Sequence, residues 1–132
     1  MRVAQRTVLL VDDDAAIREA LSDLLSDEGV TVHAVTNGRE AVDWLHSASV
    51  APDVVLLDLS MPVMDGRTFL SVRKTDPVLS RVPVVVITAE RAVADLAAKY
   101  RLDGILPKPI VVDTLLEMLD RGSQDQPGSA AS

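Results

Sequence analysis

Short apolar runs, each cut off by polar or turn-forming residues, recur along the chain. Thr7-Val8-Leu9-Leu10-Val11 stops at Asp12-Asp13-Asp14, and Val54-Val55-Leu56-Leu57 stops at Asp58. Val84-Val85-Val86-Ile87, opened by Pro83, stops at Thr88-Ala89, and Ile105-Leu106-Pro107 runs into Lys108-Pro109. Apolar runs of this length bounded by turn signals read as strands buried on both faces. Val30 to Val35 gives a further short strand, placed at an edge and broken by Asn37-Gly38. The proline in the last strand places that one at an edge too, because proline cannot donate to the ladder.

Between the runs the apolar period changes from strand-like to helical. Ile17, Leu21, Leu24 and Leu25 make a first stripe, with Asp14 placed to cap its start and Gly29 its end. Ala41, Val42, Leu45 and Ala48 make a second, carrying Trp44 as a partly buried packing residue. A third helix starts at about Gly66 with Phe69, Leu70 and Val72. A fourth has Ala92, Val93, Leu96, Ala97 and Tyr100 on one face, and a fifth, about 112–120, buries Leu115, Leu116 and Leu119. Five strands alternating with five helices over short loops predict right-handed βαβ crossovers, hence an α/β fold with one parallel sheet and helices on both faces. The folded unit is read as residues 1–121, with 122–132 (GSQDQPGSAAS) as a flexible polar tail.

Composition narrows the chemistry. At 132 residues there is enough chain for one domain with a real core, and with aromatics at 2% that core must be Val, Leu, Ile and Ala. The absence of cysteine removes disulfides, thiolate metal sites and cysteine nucleophiles. No signal peptide and no spanning apolar run is present, so the expectation is a soluble, cytoplasmic protein without membrane contact. The net charge of −7 opposes direct nucleic-acid binding. It is uneven, at −7 over residues 1–59, +3 over 60–108 and −3 over 109–132.

Four strands end in polar groups: Asp12-Asp13, Asp58, Thr88 and Lys108. Taken singly, each has an ordinary explanation as a turn, a cap, a strand former or a solvated charge. In a parallel sheet, however, all these ends open into one crevice, the side on which α/β sheets bind ligands. Two carboxylates about 4 Å apart repel by roughly 4 kcal/mol at an effective dielectric near 20, so converging acids call for a cation. Hard oxygen ligands without His or Cys suit Mg²⁺, which takes one or two carboxylates plus waters and phosphate oxygens. Carboxylates, Mg²⁺, a lysine and a hydroxyl together can hold a phosphoryl group in line with a carboxylate nucleophile. Which aspartate is the nucleophile is left open by the residues alone.

With VLLVDDD, DLSMPVMDG, VVVITAE and the PKP turn in this order, residues 7–120 resemble the response-regulator receiver domain of two-component signalling. The resemblance implies a flavodoxin-like sheet of order 2-1-3-4-5, an order taken from the family and not from the residues. It implies that Asp58 accepts a phosphoryl group from the phosphohistidine of a sensor histidine kinase or phosphotransfer protein. Asp13 would bind Mg²⁺ directly, Asp12 through water, and Asp58 itself with the backbone carbonyl of Ser60 would complete the set. Thr88 and Lys108 would hold the phosphoryl oxygens, small Ala89 would leave them accessible, and the Lys108-Pro109 bond would be cis. Ser60 and Glu90 match positions that tune self-dephosphorylation in the family. On this reading the protein is not an enzyme beyond assisting its own phosphorylation and dephosphorylation. Its helix 4–strand 5–helix 5 face changes affinity for a downstream target, as a monomer or a phosphorylation-dependent dimer.

Two departures stand out. Ile105 occupies the place of the usual Tyr or Phe, and an isoleucine cannot act as that aromatic lever. Arg101-Leu102 replaces the common Gly-Ala, which implies a different turn after the fourth helix. Two other functions fit parts of the pattern. Asp12-x-Asp14 has the spacing of a haloacid-dehalogenase-like phosphatase, with Asp12 as nucleophile and Asp14 as acid, although Ala16 stands where that family has threonine. An interaction module that keeps only the fold is the other, against which the intact acidic trio, Thr88 and Lys108 speak. No effector domain follows residue 121, so the chain is read as a stand-alone receiver or one cut from a longer regulator.

Overall fold

The computed structural model describes residues 6–59, 65–90 and 94–124. Five strands, β1 (Thr7–Val11), β2 (Thr31–Val35), β3 (Val54–Asp58), β4 (Val84–Thr88) and β5 (Gly104–Pro107), alternate with five helices. The helices are α1 (Ala15–Asp27), α2 (Gly38–Ser47), α3 (Gly66–Thr75), α4 (Ala94–Tyr100) and α5 (Val112–Gln124). All strand pairings are parallel, and the order is β2-β1-β3-β4-β5. Both expected edge strands are at edges. A 3₁₀ turn at Leu79–Arg81, which no apolar period announces, links α3 to β4.

Successive strand residues face opposite sides of the sheet, so each apolar run feeds two cores. Leu9, Val11, Val55, Leu57, Val84 and Val86 pack with Ala41, Leu45, Phe69, Leu70, Leu96 and Tyr100 from α2, α3 and α4. Val8, Leu10, Val54, Leu56, Val85, Ile87 and Leu106 pack with Leu21, Leu25, Leu115 and Leu119 from α1 and α5. This is why the runs are continuous rather than alternating. β3 and β4 are buried along their whole length.

Helix starts follow their capping residues. Asp14 Oδ1 accepts from the N–H groups of Ala16 and Ile17, Asn37 Oδ1 from Glu40, and Asp65 Oδ1 from Thr68. Asn37-Gly38 thus ends β2 by opening α2. At the end of α1, Gly29 takes φ 87°, and the Val30 N–H reaches the Leu25 carbonyl at 3.0 Å, a Schellman closure. Trp44 is half-buried against the core that holds Ala41 and Leu45, as expected.

Two sequence expectations need correction. Leu24 keeps the helical spacing of the α1 stripe but is 43% exposed, because Leu21 and Leu25 already fill the buried face. α5 runs on to Gln124 rather than stopping near 120, since a helix continues through polar residues until something breaks it. Ala92 and Val93 lie outside the described residues, as does the chain after Gln124.

Candidate functional site

Register brings the acids together. Val11 of β1 is paired with Leu57 of β3, so the next residues, Asp12 and Asp58, stand side by side at the carboxyl ends of adjacent strands. The Asp12 N–H extends the ladder to the Val35 carbonyl at 3.2 Å, fixing its backbone. One carboxylate oxygen from each of Asp12, Asp13 and Asp58 lies within 4.8 Å of the others. Asp12 and Asp58 are buried and Asp13 is exposed, so the group opens to solvent on one side.

β4 and β5 supply the other half. Thr88 pairs with Pro107, and the Lys108 N–H donates to the Thr88 carbonyl at 2.9 Å. That bond sets the Lys108 side chain to reach across the strand ends. Its Nζ lies 3.3 Å from Asp58 Oδ1. Thr88 is buried, its hydroxyl accepting from the Glu90 N–H at 3.0 Å, and Ala89 beyond it is exposed. The Lys108-Pro109 bond is cis. Ser60 lies outside the described residues.

Electrostatics makes the cluster uncomfortable by itself. Two unit charges no more than 4.8 Å apart repel by at least about 3 kcal/mol at an effective dielectric near 20, and Lys108 offers one positive charge against three negative. Burial holds the Asp12 carboxyl above its ordinary value; the Asp14 N–H pulls it down, and the neighbouring Asp58 pushes it up again. Asp12 Oδ1 accepts from that N–H at 2.9 Å, while Oδ2 is buried without a hydrogen-bond partner. A buried acceptor with no donor, beside two further carboxylates and, among the described residues, no nitrogen or sulfur ligand, fits a hard divalent cation. Asp14 stands apart from this group, its Oδ1 committed to capping α1.

Two supports escaped the sequence reading. A Cβ on Gly66 would lie 2.6 Å from the Leu59 Cα and 2.7 Å from the Asp58 carbonyl oxygen, so only glycine lets α3 begin against the end of β3. The Asp-Gly pair signalled a helix start but not this close approach. The second is an ion pair at the rim: Arg67 Nη2 and Nη1 meet Glu90 Oε1 and Oε2 at 2.7 and 3.2 Å. Nothing in the spacing of two residues on different elements could have paired them.

The family described as response regulator receiver domain matches residues 8–120. Response regulator MprA of Mycolicibacterium vanbaalenii is 40% identical over 112 residues, covering 83% of this chain. The chain spans 46% of that relative's length. The chemotaxis response regulator CheY4 of Vibrio cholerae superposes with a TM-score of 0.79 at 31% identity, covering 90% of this chain and 99% of that one. The receiver domain of sensor histidine kinase PA1611 from Pseudomonas aeruginosa, solved with a magnesium ion coordinated in its active-site cleft, gives 0.78 at 26% identity, covering 89% and 97%.

Proposed function

The chain belongs to the response regulator receiver domain family, and from that premise we propose that Asp58 is its phosphoacceptor in a Mg²⁺-dependent switch. The observation that carries this reading is the meeting of Asp12, Asp13 and Asp58 within 4.8 Å, with Lys108 Nζ 3.3 Å from Asp58 Oδ1.

An Asp58 carboxylate oxygen attacks the phosphorus of a phosphohistidine on a sensor kinase or phosphotransfer protein. The P–N bond breaks, and the imidazole nitrogen leaves with the electron pair and takes a proton from water. Lys108 holds Asp58 beforehand and pairs with a phosphoryl oxygen afterwards, while the Thr88 hydroxyl donates to another. Asp12, Asp13 and Asp58, with the Ser60 carbonyl, would hold Mg²⁺, which would supply positive charge for the phosphoryl oxygens. Hydrolysis reverses the modification: water attacks phosphorus, the bond to Asp58 breaks, and inorganic phosphate leaves. The domain therefore carries a signal and assists its own chemistry without turning over a separate substrate.

Phosphorylation adds up to about −2 charge beside existing carboxylates, and moving Thr88 toward it displaces Ala89 and Glu90, which follow it. The readout is the α4–β5–α5 face. Ile105 is half-buried against the cluster containing Leu96 and Tyr100, so output follows repacking of aliphatic groups rather than an aromatic swing. The partner is a downstream target protein in the cytoplasm. Incubation with Mg²⁺ and acetyl phosphate, read by intact mass, should add one phosphoryl group to the wild type and none to Asp58→Asn. No adduct on the wild type, or an undiminished one on the variant, rejects the proposal.

A further inference from the structure

We propose that Arg67 is a positioning residue for the Asp58 reaction, acting through Glu90 as a clasp that restrains Thr88. The inference rests on the phosphoacceptor reading and deepens it.

The connection is continuous. Arg67 is the second residue of α3, directly after Gly66, whose N–H donates to the Leu59 carbonyl at 2.8 Å. It is thereby fixed to the end of the strand that carries Asp58. Its guanidinium grips both oxygens of Glu90, and the Glu90 N–H in turn donates to the Thr88 hydroxyl oxygen. One residue thus joins the start of α3 to the hydroxyl that must turn toward an incoming phosphoryl group. A planar fork on a carboxylate constrains direction as well as distance, which a point charge would not. The pair holds Glu90 ionised below the ordinary carboxylate range, so the clasp is closed at neutral pH.

Thr88 reaches the phosphoryl oxygens when its turn loosens from Glu90, and the ion pair resists that movement. The clasp slows loading of Asp58. Both side chains are about half exposed, at 45% and 40%, so the effect is modest, as for other exposed pairs.

The test is the rate of Asp58 loading by acetyl phosphate with Mg²⁺, followed by intact mass on the full chain, in four variants. Arg67→Gln and Glu90→Gln should each load about two- to fivefold faster. The double variant should be no faster than either single one, and the reversed pair Arg67→Glu/Glu90→Arg should return toward the wild-type rate. Salt at about 0.5 M should narrow the gap in rate between the wild type and the two Gln variants. Single variants of opposite sign, with Arg67→Gln slower and Glu90→Gln faster, would mean that the charges act only by attracting or repelling the anionic donor. That result overturns the clasp, as do additive effects. A second readout needs no phosphorylation: the Glu90 amide resonance should shift in Arg67→Gln, where residue 90 itself is unchanged. If the wild type fails to load, the phosphoacceptor reading falls, and an unmoved Glu90 amide would separately remove the clasp.

Discussion

Arg101 holds a backbone conformation that side chains rarely choose. Its φ is 56°, and the following Leu102 N–H closes α4 on the Ala97 carbonyl at 3.1 Å. This is the same closure Gly29 gives α1, so the Arg-Leu pair does not change the type of turn that glycine would make; it makes that turn at a cost. Arg101→Gly should stabilise the domain by about 1 kcal/mol, raising Tm by roughly 3 to 5 °C in thermal unfolding. The sequence showed the substitution but not its consequence, because φ at one position depends on how the helix end is tied down. Asp58, Asp12 and Lys108 were legible for the opposite reason. Each directly follows an apolar run, and a strand's direction decides where its end points.

At the scale of elements, Arg73 was missed although it keeps the helical period of Phe69. It is buried, and burial pulls its guanidinium below the usual arginine value. Nε and Nη2 donate to the Val82 carbonyl at 3.1 and 2.8 Å, and Nη1 to the Tyr100 carbonyl at 2.8 Å. One side chain thereby joins α3 to the ends of the 3₁₀ turn and α4. A charged residue in a stripe reads as solvated until its carbonyl partners are known. Arg73→Ala should cost about 2 kcal/mol in urea unfolding, and Arg73→Lys should recover little, because an ammonium cannot reproduce the fork.

The start of α2 carries a pH dependence. Glu40 accepts from the Thr36 N–H at 2.7 Å and the Thr36 hydroxyl at 2.8 Å, in that order the causes holding its carboxyl below the ordinary range. A folded value below the unfolded one means stability present above about pH 4.3 and lost as pH falls through the lowered value. The stability gap between the wild type and Glu40→Gln should be constant from neutral pH to about 5 and close at lower pH. A gap that widens on acidification would contradict the assignment.

Over the whole molecule, two cores on opposite faces of one sheet hold the strands in register, and register alone puts Asp12 beside Asp58. That much was readable from runs that end in acids. Strand order was not, since continuous apolar runs look alike at the centre of a sheet, and it came only with the family. Among the described residues no helix is long and apolar enough to cross a membrane.

The choice of nucleophile among neighbouring aspartates is the claim on which the rest turns. An aspartyl phosphate is reduced by borohydride to homoserine, which marks its position in the chain. After loading with acetyl phosphate and Mg²⁺, peptide sequencing should find homoserine at position 58 alone, and none when EDTA replaces the metal. Homoserine at position 12 or 13, or at 58 regardless of metal, would contradict the account.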